Sequence, residues 1–239
     1  MIKEIQNDIK KFFNKYGKIV KLILIFFMFY FFDYVTLIPI KIFNITDISG
    51  PTTVLLSTFK SALLAIVLFL IYRKDLIKDW DKFRSNPIDN LDSGIKYWFL
   101  GLVGMIGSNL LINIFFKPGG AANEQAVQSL ITALPWMMLL NAGIIAPFAE
   151  EMVFRKAFKD AINNKWLYVL LSGFVFGGLH VLGSITNWYD ILYIFPYSFL
   201  GLAFAFAHYE TDTIFTSIIL HTIHNSVLIL SSITIGMII

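Results

Sequence analysis

Two adjacent glutamates and an arginine interrupt an otherwise apolar part of the sequence. Glu150 and Glu151 are followed by Arg155, four residues beyond the second glutamate. An ionisable side chain at membrane depth costs a few kcal/mol on insertion scales, so such groups are candidates for function. Glu151 and Arg155 share one helical face, and the spacing predicts a structural ion pair between them. Glu150 is left without a local counter-charge, and two carboxylates in different environments could divide acid and base roles. The alternative is that both glutamates lie among the lipid headgroups at a helix end.

The histidines form a second set of candidate residues. His180, His221 and His224 lie within apolar stretches, whereas His208 lies near a polar turn and is predicted to be solvated. His221 and Asn225 are four apart and therefore share one helical face. His224 points about 60° away from that face, which predicts a packing role.

Helix rise places these groups at similar depths. At about 1.5 Å per residue, Glu150 and His180 lie about 21 Å and 24 Å from the turn near residue 164. His221 and Asn225 lie about 14 Å and 20 Å from the turn near residue 212. We therefore expect four polar groups from three helices in one layer inside the membrane. Taken singly, each could equally be an interhelical hydrogen bond.

The chemistry open to such a layer is hydrolysis. Amide hydrolysis needs an activated water and donors for the developing oxyanion. Glutamate can accept the proton, imidazole can hold the water, and asparagine and histidine can donate. The same ligands could bind zinc. We favour a site that requires no metal, because the sequence has no HExxH motif and no three histidines at one site.

The composition indicates what kind of scaffold holds these residues. The chain has 239 residues, of which 57% are hydrophobic and 15% charged, and its mean hydropathy is +0.70. Soluble domains carry about a quarter charged residues, so we expect an integral membrane protein with one domain over residues 1–239. There is no cysteine, which excludes disulfides, a thiol nucleophile and thiolate metal ligands.

Apolar runs predict an all-α, polytopic bundle of transmembrane helices. The predicted spans cover about residues 19–40, 54–72, 94–116, 135–162, 166–182, 189–207 and 214–237. Residues 121–133 could partly re-enter the membrane, so the expected number of spans is seven or eight. Basic amphipathic patterns over 1–18 and 73–84 predict two interfacial helices. Lys117-Pro118-Gly119-Gly120 should break the third span, and Pro147 should kink the fourth.

Basic residues indicate the orientation. They concentrate at the N-terminus, at 73–96 and at 155–165, and they are almost absent from the loops at 41–53, 117–134 and 183–190. The positive-inside rule then predicts a cytoplasmic N-terminus. We expect a multi-pass protein of a bacterial cell membrane.

Three motifs occur in order on successive predicted helices: Glu150-Glu151-x-x-x-Arg155, Phe176-x-x-x-His180 and His221-x-x-x-Asn225. In this order the chain resembles the CPBP family of intramembrane proteases, also called the Abi or type II CAAX protease family. The resemblance covers about residues 140–235, and the expected catalytic core is about 135–235.

The resemblance implies an endopeptidase that cuts peptides at the membrane. It implies that Glu150 is the general base with His180 as its partner, and that His221 and Asn225 stabilise the oxyanion. Glu151 and Arg155 would then position the base and the substrate. No cofactor is required in this reading, although the family was long classed with metalloproteases and zinc stays an alternative.

Other functions remain open at this stage. The chain could be a non-catalytic membrane scaffold or bacteriocin-immunity protein, or a proton-coupled transporter that uses Glu150 and His180 as a relay. Expected partners are the lipid bilayer and a peptide or protein substrate, such as a small exported peptide, and no nucleic acid. The oligomeric state is open.

Overall fold

The computed structural model describes residues 2–116 and 120–238, and all regular structure in these ranges is helical. The first half contains α1 (Ile2–Phe31), a 3-10 segment (Phe32–Thr36), α2 (Leu37–Ile42), α3 (Gly50–Ser85), α4 (Pro87–Phe116) and α5 (Ala122–Ala133). The second half contains α6 (Pro135–Met138), α7 (Ala146–Glu151), α8 (Phe158–Ala161), α9 (Lys165–Val181), α10 (Ile194–Thr211) and α11 (Ile214–Ile238). Two π-helical segments, Leu139–Ile145 and Met152–Ala157, join α6, α7 and α8 into one continuous helix, which we call the glutamate helix (Pro135–Ala161).

The predicted all-α membrane bundle is confirmed. Among the described residues, six helical stretches are long and apolar enough to cross a membrane: Asn14–Ile42, Gly50–Ser85, Pro87–Phe116, Pro135–Ala161, Trp188–Thr211 and Ile214–Gly236. The apolar α9 is shorter, at 17 residues. Large apolar side chains on the outer face of α4, such as Phe99 and Leu100, are exposed and face the position of lipid.

The predicted interfacial helices are the ends of spanning helices rather than separate elements. Residues 73–84 continue α3 without a break, and their apolar face is divided: Leu76 and Phe83 are buried, whereas Ile77 and Trp80 are exposed. The basic N-terminal segment likewise runs into α1, though the side chains of several of its apolar residues lie outside the described set. The predicted break at 117–119 also lies outside the described residues.

Small residues let α10 lie close to both of its main neighbours. A side chain at Gly201 would meet the backbone oxygen of Gly173 on α9 at 2.8 Å, and one at Gly101 of α4 would meet Ala203 at 2.6 Å. Close backbone approach through small residues is the usual way that helices associate in membranes. The α9–α10 contact brings His180 and its neighbours against the centre of the bundle.

The turn between α10 and α11 is fixed by charges. Asp212, in a left-handed conformation, pairs with Lys82 of α3 at 2.6 Å and with Lys159 of α8 at 2.8 Å. The prediction that His208 is solvated is wrong: its side chain is buried, and its Nδ1 forms a 3.0 Å hydrogen bond with the Tyr168 hydroxyl. The sequence placed His208 near a turn but did not show that Tyr168 of α9 covers it.

Candidate functional site

The glutamate helix has widened turns on both sides of its two glutamates. Pro147 lacks the backbone N–H that an α-helix would use, and it lies two residues after the end of the first π segment. Two side chains of α11 donate to carbonyls of that segment: Asn225 Nδ2 to Ala142 O at 3.0 Å and Ser226 Oγ to Gly143 O at 3.2 Å. Single π turns within α-helices are frequent at functional sites. These two hydrogen bonds attach α11 to the helix that carries Glu150.

The predicted ion pair between Glu151 and Arg155 is present in the structure and is fully buried. Arg155 Nε lies 3.2 Å from Glu151 Oε2, a contact between charges without hydrogen-bond geometry. Arg155 also donates to Ser172 Oγ at 3.0 Å, and its guanidinium lies 4.8 Å from the centre of the Phe176 ring. A buried charge is tolerated when it is paired and hydrogen-bonded. The pair therefore anchors α9 to the glutamate helix.

His221 connects α11 to both glutamates. Its Nδ1–H donates to Glu151 Oε1 at 2.9 Å, and its Nε2 lies 3.7 Å from Glu150 Oε2. The ring stacks on Phe204, with a centroid distance of 4.7 Å and an interplanar angle of 21°. A carboxylate on one ring nitrogen fixes the ring's orientation and leaves the other nitrogen for chemistry. In this arrangement Nε2 is the atom available on the side of Glu150.

Glu150 lies where two cavities meet. The α3 cavity, about 570 Å³, is bordered by α3 and the segment that follows α1. The α5 cavity, about 510 Å³, is bordered by α5, α10 and α11. Ala142, Ala146 and Glu150 line both cavities. The Glu150 side chain is 18% exposed, whereas that of Glu151 is fully buried, so Glu150 is the carboxylate that a molecule in either cavity can reach.

His180 lines the α5 cavity from the end of α9. Its Nδ1 is 2.9 Å from Phe176 O, which makes Nδ1–H the donor and leaves Nε2 free of that bond. The ring stacks on Tyr197 at a centroid distance of 4.9 Å and an angle of 24°. Tyr197 Oη in turn accepts from Asn123 Nδ2 at 3.3 Å. His180 is thus held by a backbone carbonyl and an aromatic ring.

The structure brings all four predicted site residues to one cavity. Glu150, His180, His221 and Asn225 all line the α5 cavity, as the depth estimate predicted. Asn225 commits one amide hydrogen to Ala142 O and has a second one to offer. His224, which was predicted to pack, lies edge-on to Trp98 at 6.3 Å and also reaches this cavity.

Several contacts of the site were not foreseen from the sequence. The hydrogen bond between His221 and Glu151 joins residues 70 positions apart, and no local spacing signals it. Tyr197 and Phe204, whose rings cover the two histidines, belong to an apolar run in which no aromatic residue stands out. Ser172, which accepts the Arg155 hydrogen bond, lies 17 residues away within an apolar stretch, and no local spacing signals this contact.

Over the described ranges, no group of three or more His, Asp or Glu side chains is placed to hold a metal ion. At the site itself, Glu151 occupies Nδ1 of His221, so the remaining donors are the Glu150 carboxylate and the Nε2 atoms of His221 and His180.

Comparison with known proteins gives a consistent result. Residues 132–227 match the family model described as "Type II CAAX prenyl endopeptidase Rce1-like". The chain is 29% identical over 111 residues to "Putative membrane peptidase YdiL" of Bacillus subtilis, which covers 45% of this chain and 42% of that protein. It is 24% identical over 171 residues to "UPF0177 protein YxdF" of Lactococcus lactis, which covers 67% of this chain and 86% of that protein.

A third relative, an uncharacterised protein of Mycoplasma capricolum, is 30% identical over 151 residues. This chain spans 42% of the length of the Bacillus and Mycoplasma proteins. No solved structure matches the chain. The resemblance expected from the three motifs is confirmed: the segment 132–227, which carries Glu150, His180, His221 and Asn225, matches the family model of Rce1-like type II CAAX prenyl endopeptidases.

Proposed function

We propose that this protein is an intramembrane endopeptidase that hydrolyses peptide bonds of membrane-associated proteins or peptides. One observation carries the proposal: the accessible carboxylate of Glu150 shares a cavity with two oriented histidines and an asparagine from other helices. The cavity of about 510 Å³ has room for a peptide segment and for water. The membership of residues 132–227 in a family of endopeptidases supports the same reaction.

In the proposed reaction, Glu150 accepts a proton from a water molecule while the water oxygen attacks the peptide carbonyl carbon. His180 Nε2 holds the water, because its Nδ1 is already bonded to Phe176 O. The proton on Glu150 then passes to the leaving nitrogen as the C–N bond breaks. A positioned acid–base group of this kind contributes about 10² to 10⁴ in rate.

The oxyanion formed in the attack needs donors. Asn225 can offer its second amide hydrogen, since the first is bound to Ala142 O. His221 can donate only from Nε2, because Nδ1–H is bound to Glu151, and Nε2 donates when the ring holds both protons. Glu151 and Arg155 act through His221, as positioning residues that do not touch the substrate.

The test is cleavage by purified full-length protein in lipid vesicles, with a pool of synthetic apolar peptides as probe and mass spectrometry as readout. Glu150→Gln should keep the fold and lose at least about 90% of the rate, given the usual loss for a general base. Glu210→Gln, which alters a glutamate paired with Lys165 away from the cavities, is the matched control. Cleavage by Glu150→Gln above a tenth of the wild-type rate would refute the assignment.

Three alternatives give different results in this assay. A zinc-dependent version of the protease would lose activity with a chelator and regain it with stoichiometric zinc, whereas the proposed mechanism requires no added metal. A scaffold or immunity protein would cleave nothing, in the wild type or in any variant. A proton-coupled transporter would move protons across the vesicle membrane without peptide cleavage.

A further inference from the structure

A single unpaired carboxylate marks the part of the α5 cavity away from Glu150. Glu124, in the first turn of α5, lines this cavity and is exposed. Among the described residues, Glu124 forms no ion pair, unlike Glu150, Glu151 and Glu210. An acidic residue in a first turn also favours the helix dipole, so its charge alone does not define a site. Its place in the cavity is the further observation.

The two carboxylates in the described lining of the cavity give it a negative charge. Its charged side chains are Glu124 and Glu150, and no described lysine or arginine lines it. Much of the wall is apolar, with Val127, Leu200, Phe204 and Ile229 among the lining residues. Clefts lined by charges of one sign between apolar walls concentrate the field and attract the opposite charge. The occupant that fits this cavity carries a positive charge.

The wall around Glu124 also offers groups that bind a peptide backbone. Asn109, Asn123 and Gln128 line the same cavity, and amide side chains can both donate to and accept from a peptide. Two hydrogen bonds attach α5 to its neighbours. Asn123 Nδ2 donates to Tyr197 Oη of α10 at 3.3 Å, and Gln128 Nε2 donates to Ser232 Oγ of α11 at 3.0 Å. Glu124 therefore sits on a helix held against α10 and α11.

The link through Tyr197 gives the distance from Glu124 to the reacting centre. Tyr197 stacks on His180 at 4.9 Å and bonds to Asn123, the residue before Glu124. These contacts place the Glu124 backbone within about 18 Å of His180, which about five residues of extended peptide would span.

From this arrangement we infer that Glu124 is a specificity-determining residue that binds a lysine or arginine side chain of the substrate within about five residues of the scissile bond. The inference deepens the proposed peptidase function and rests on it for the position of the cut. The preference for a lysine or arginine side chain is a property of binding, so it can be measured without cleavage of the peptide.

The experiment measures binding of a fluorescein-labelled ten-residue apolar peptide with one lysine to the full chain in detergent micelles. The same peptide with norleucine in place of lysine keeps the alkyl chain and removes the charge. Binding to Glu150→Gln protein, which leaves the peptide uncut, should be about tenfold tighter for the lysine peptide, as expected for one charge-assisted hydrogen bond. A second substitution, Glu124→Gln, should abolish this ratio, Glu124→Asp should keep part of it, and Glu210→Gln should leave it unchanged.

The outcomes separate this inference from the function on which it rests. Equal binding of the two peptides, or an unchanged ratio in Glu124→Gln, overturns the role of Glu124 even if the protein is a peptidase. If Glu124→Gln abolishes the ratio and also lowers the unfolding temperature, and if Glu124→Asp does not restore the ratio, then Glu124 has a structural role. This result also overturns the inference. If the wild-type protein cleaves no peptide, but binding still favours the lysine peptide in a way that depends on Glu124, the binding site is supported and the peptidase function is refuted. In an active enzyme, Glu124→Gln should raise KM for lysine peptides with little change in kcat.

Discussion

At the scale of single residues, His221 is the side chain that lies next to both glutamates of the site. One ring nitrogen bonds to the buried Glu151, the other faces the accessible Glu150, and Phe204 supports the ring from the side. The two neighbouring glutamates have different partners because Glu151 shares a face of the helix with Arg155, whereas Glu150 faces the cavities. This division is what two carboxylates need in order to take different chemical roles.

The first residue-scale prediction concerns the oxyanion donors. Asn225→Ala should lower kcat by about 10²-fold with little change in KM, because donors to an oxyanion act in the transition state. His221→Ala should do the same, and the double variant should cost less than the sum of the two, since residues that act as a unit are not additive. Steady-state kinetics with one cleaved peptide gives these values.

His224→Ala is the matched control for that series. The His224 ring lies near Trp98, and among the described residues no ion pair joins it to either glutamate, so its loss should be mild. If His224→Ala proves as damaging as Asn225→Ala while His221→Ala is tolerated, the assignment of roles along α11 is wrong. Because Asn225 also bonds to Ala142 O, the unfolding temperature of each variant should be measured alongside its kinetics.

At the scale of elements, the sequence predicted the positions of the helices well and the irregular segments that connect or extend them poorly. Long apolar runs and the 3.6-residue period mark α9, α10 and α11 to within a few residues, because a membrane span must be apolar along its length. The first π segment of the glutamate helix had no such signal, since Asn225 and Ser226 of α11 donate to its carbonyls across the bundle. The α3 extension was predicted as a separate helix because its charges resemble those of a surface helix.

For the candidate site, the sequence could predict which residues share a depth but not which of them touch. Helix rise brought Glu150, His180 and His221 to one layer, as the common cavity shows. The pairing of His221 with Glu151 depends on how α11 is rotated against the glutamate helix, and that rotation is set by packing across the whole bundle. The predicted partnership of Glu150 and His180 stays a prediction.

The element-scale prediction concerns the turn between α10 and α11. Partial burial raises the pKa of the Asp212 carboxyl, but hydrogen bonds from Lys159 and Lys82 outweigh this and hold the pKa below its ordinary value. A lowered pKa in the folded state adds stability above about pH 4, which is lost as the pH falls through the folded-state pKa. Since the Asp212 side chain is largely exposed, the effect should be small.

We expect Asp212→Asn to lower the unfolding temperature at pH 7 by about 1–3 °C, the shift for a partly exposed ion pair in a chain of this size. The difference from the wild type should shrink as the pH is lowered below about 4, where the wild-type carboxylate takes up its proton. Asp81→Asn, which removes an exposed pair within α3, should have less effect. Differential scanning fluorimetry in detergent checks both variants, and a difference that grows at low pH would contradict the argument.

At the scale of the whole molecule, the α5 cavity and the basic residues lie at opposite ends of the bundle. Lys82 and Lys159 cluster with Asp212 at one end, where α3 ends and α4 begins. α4 then crosses the bundle, and α5, which borders the cavity, follows at the other end. The positive-inside rule predicts that the basic end is cytoplasmic, so we propose that the α5 end faces the outside of the cell.

The absence of cysteine from the chain makes this orientation directly testable. Single cysteines at two exposed positions, Ala126→Cys on α5 and Ser85→Cys at the end of α3, each report on one end of the bundle. In intact bacterial cells that express the full chain, a membrane-impermeant maleimide should label Ala126→Cys and spare Ser85→Cys. After permeabilisation it should label both. The reverse pattern would place the α5 end in the cytoplasm, and the candidate substrates would then be cytoplasmic peptides or proteins rather than exported ones.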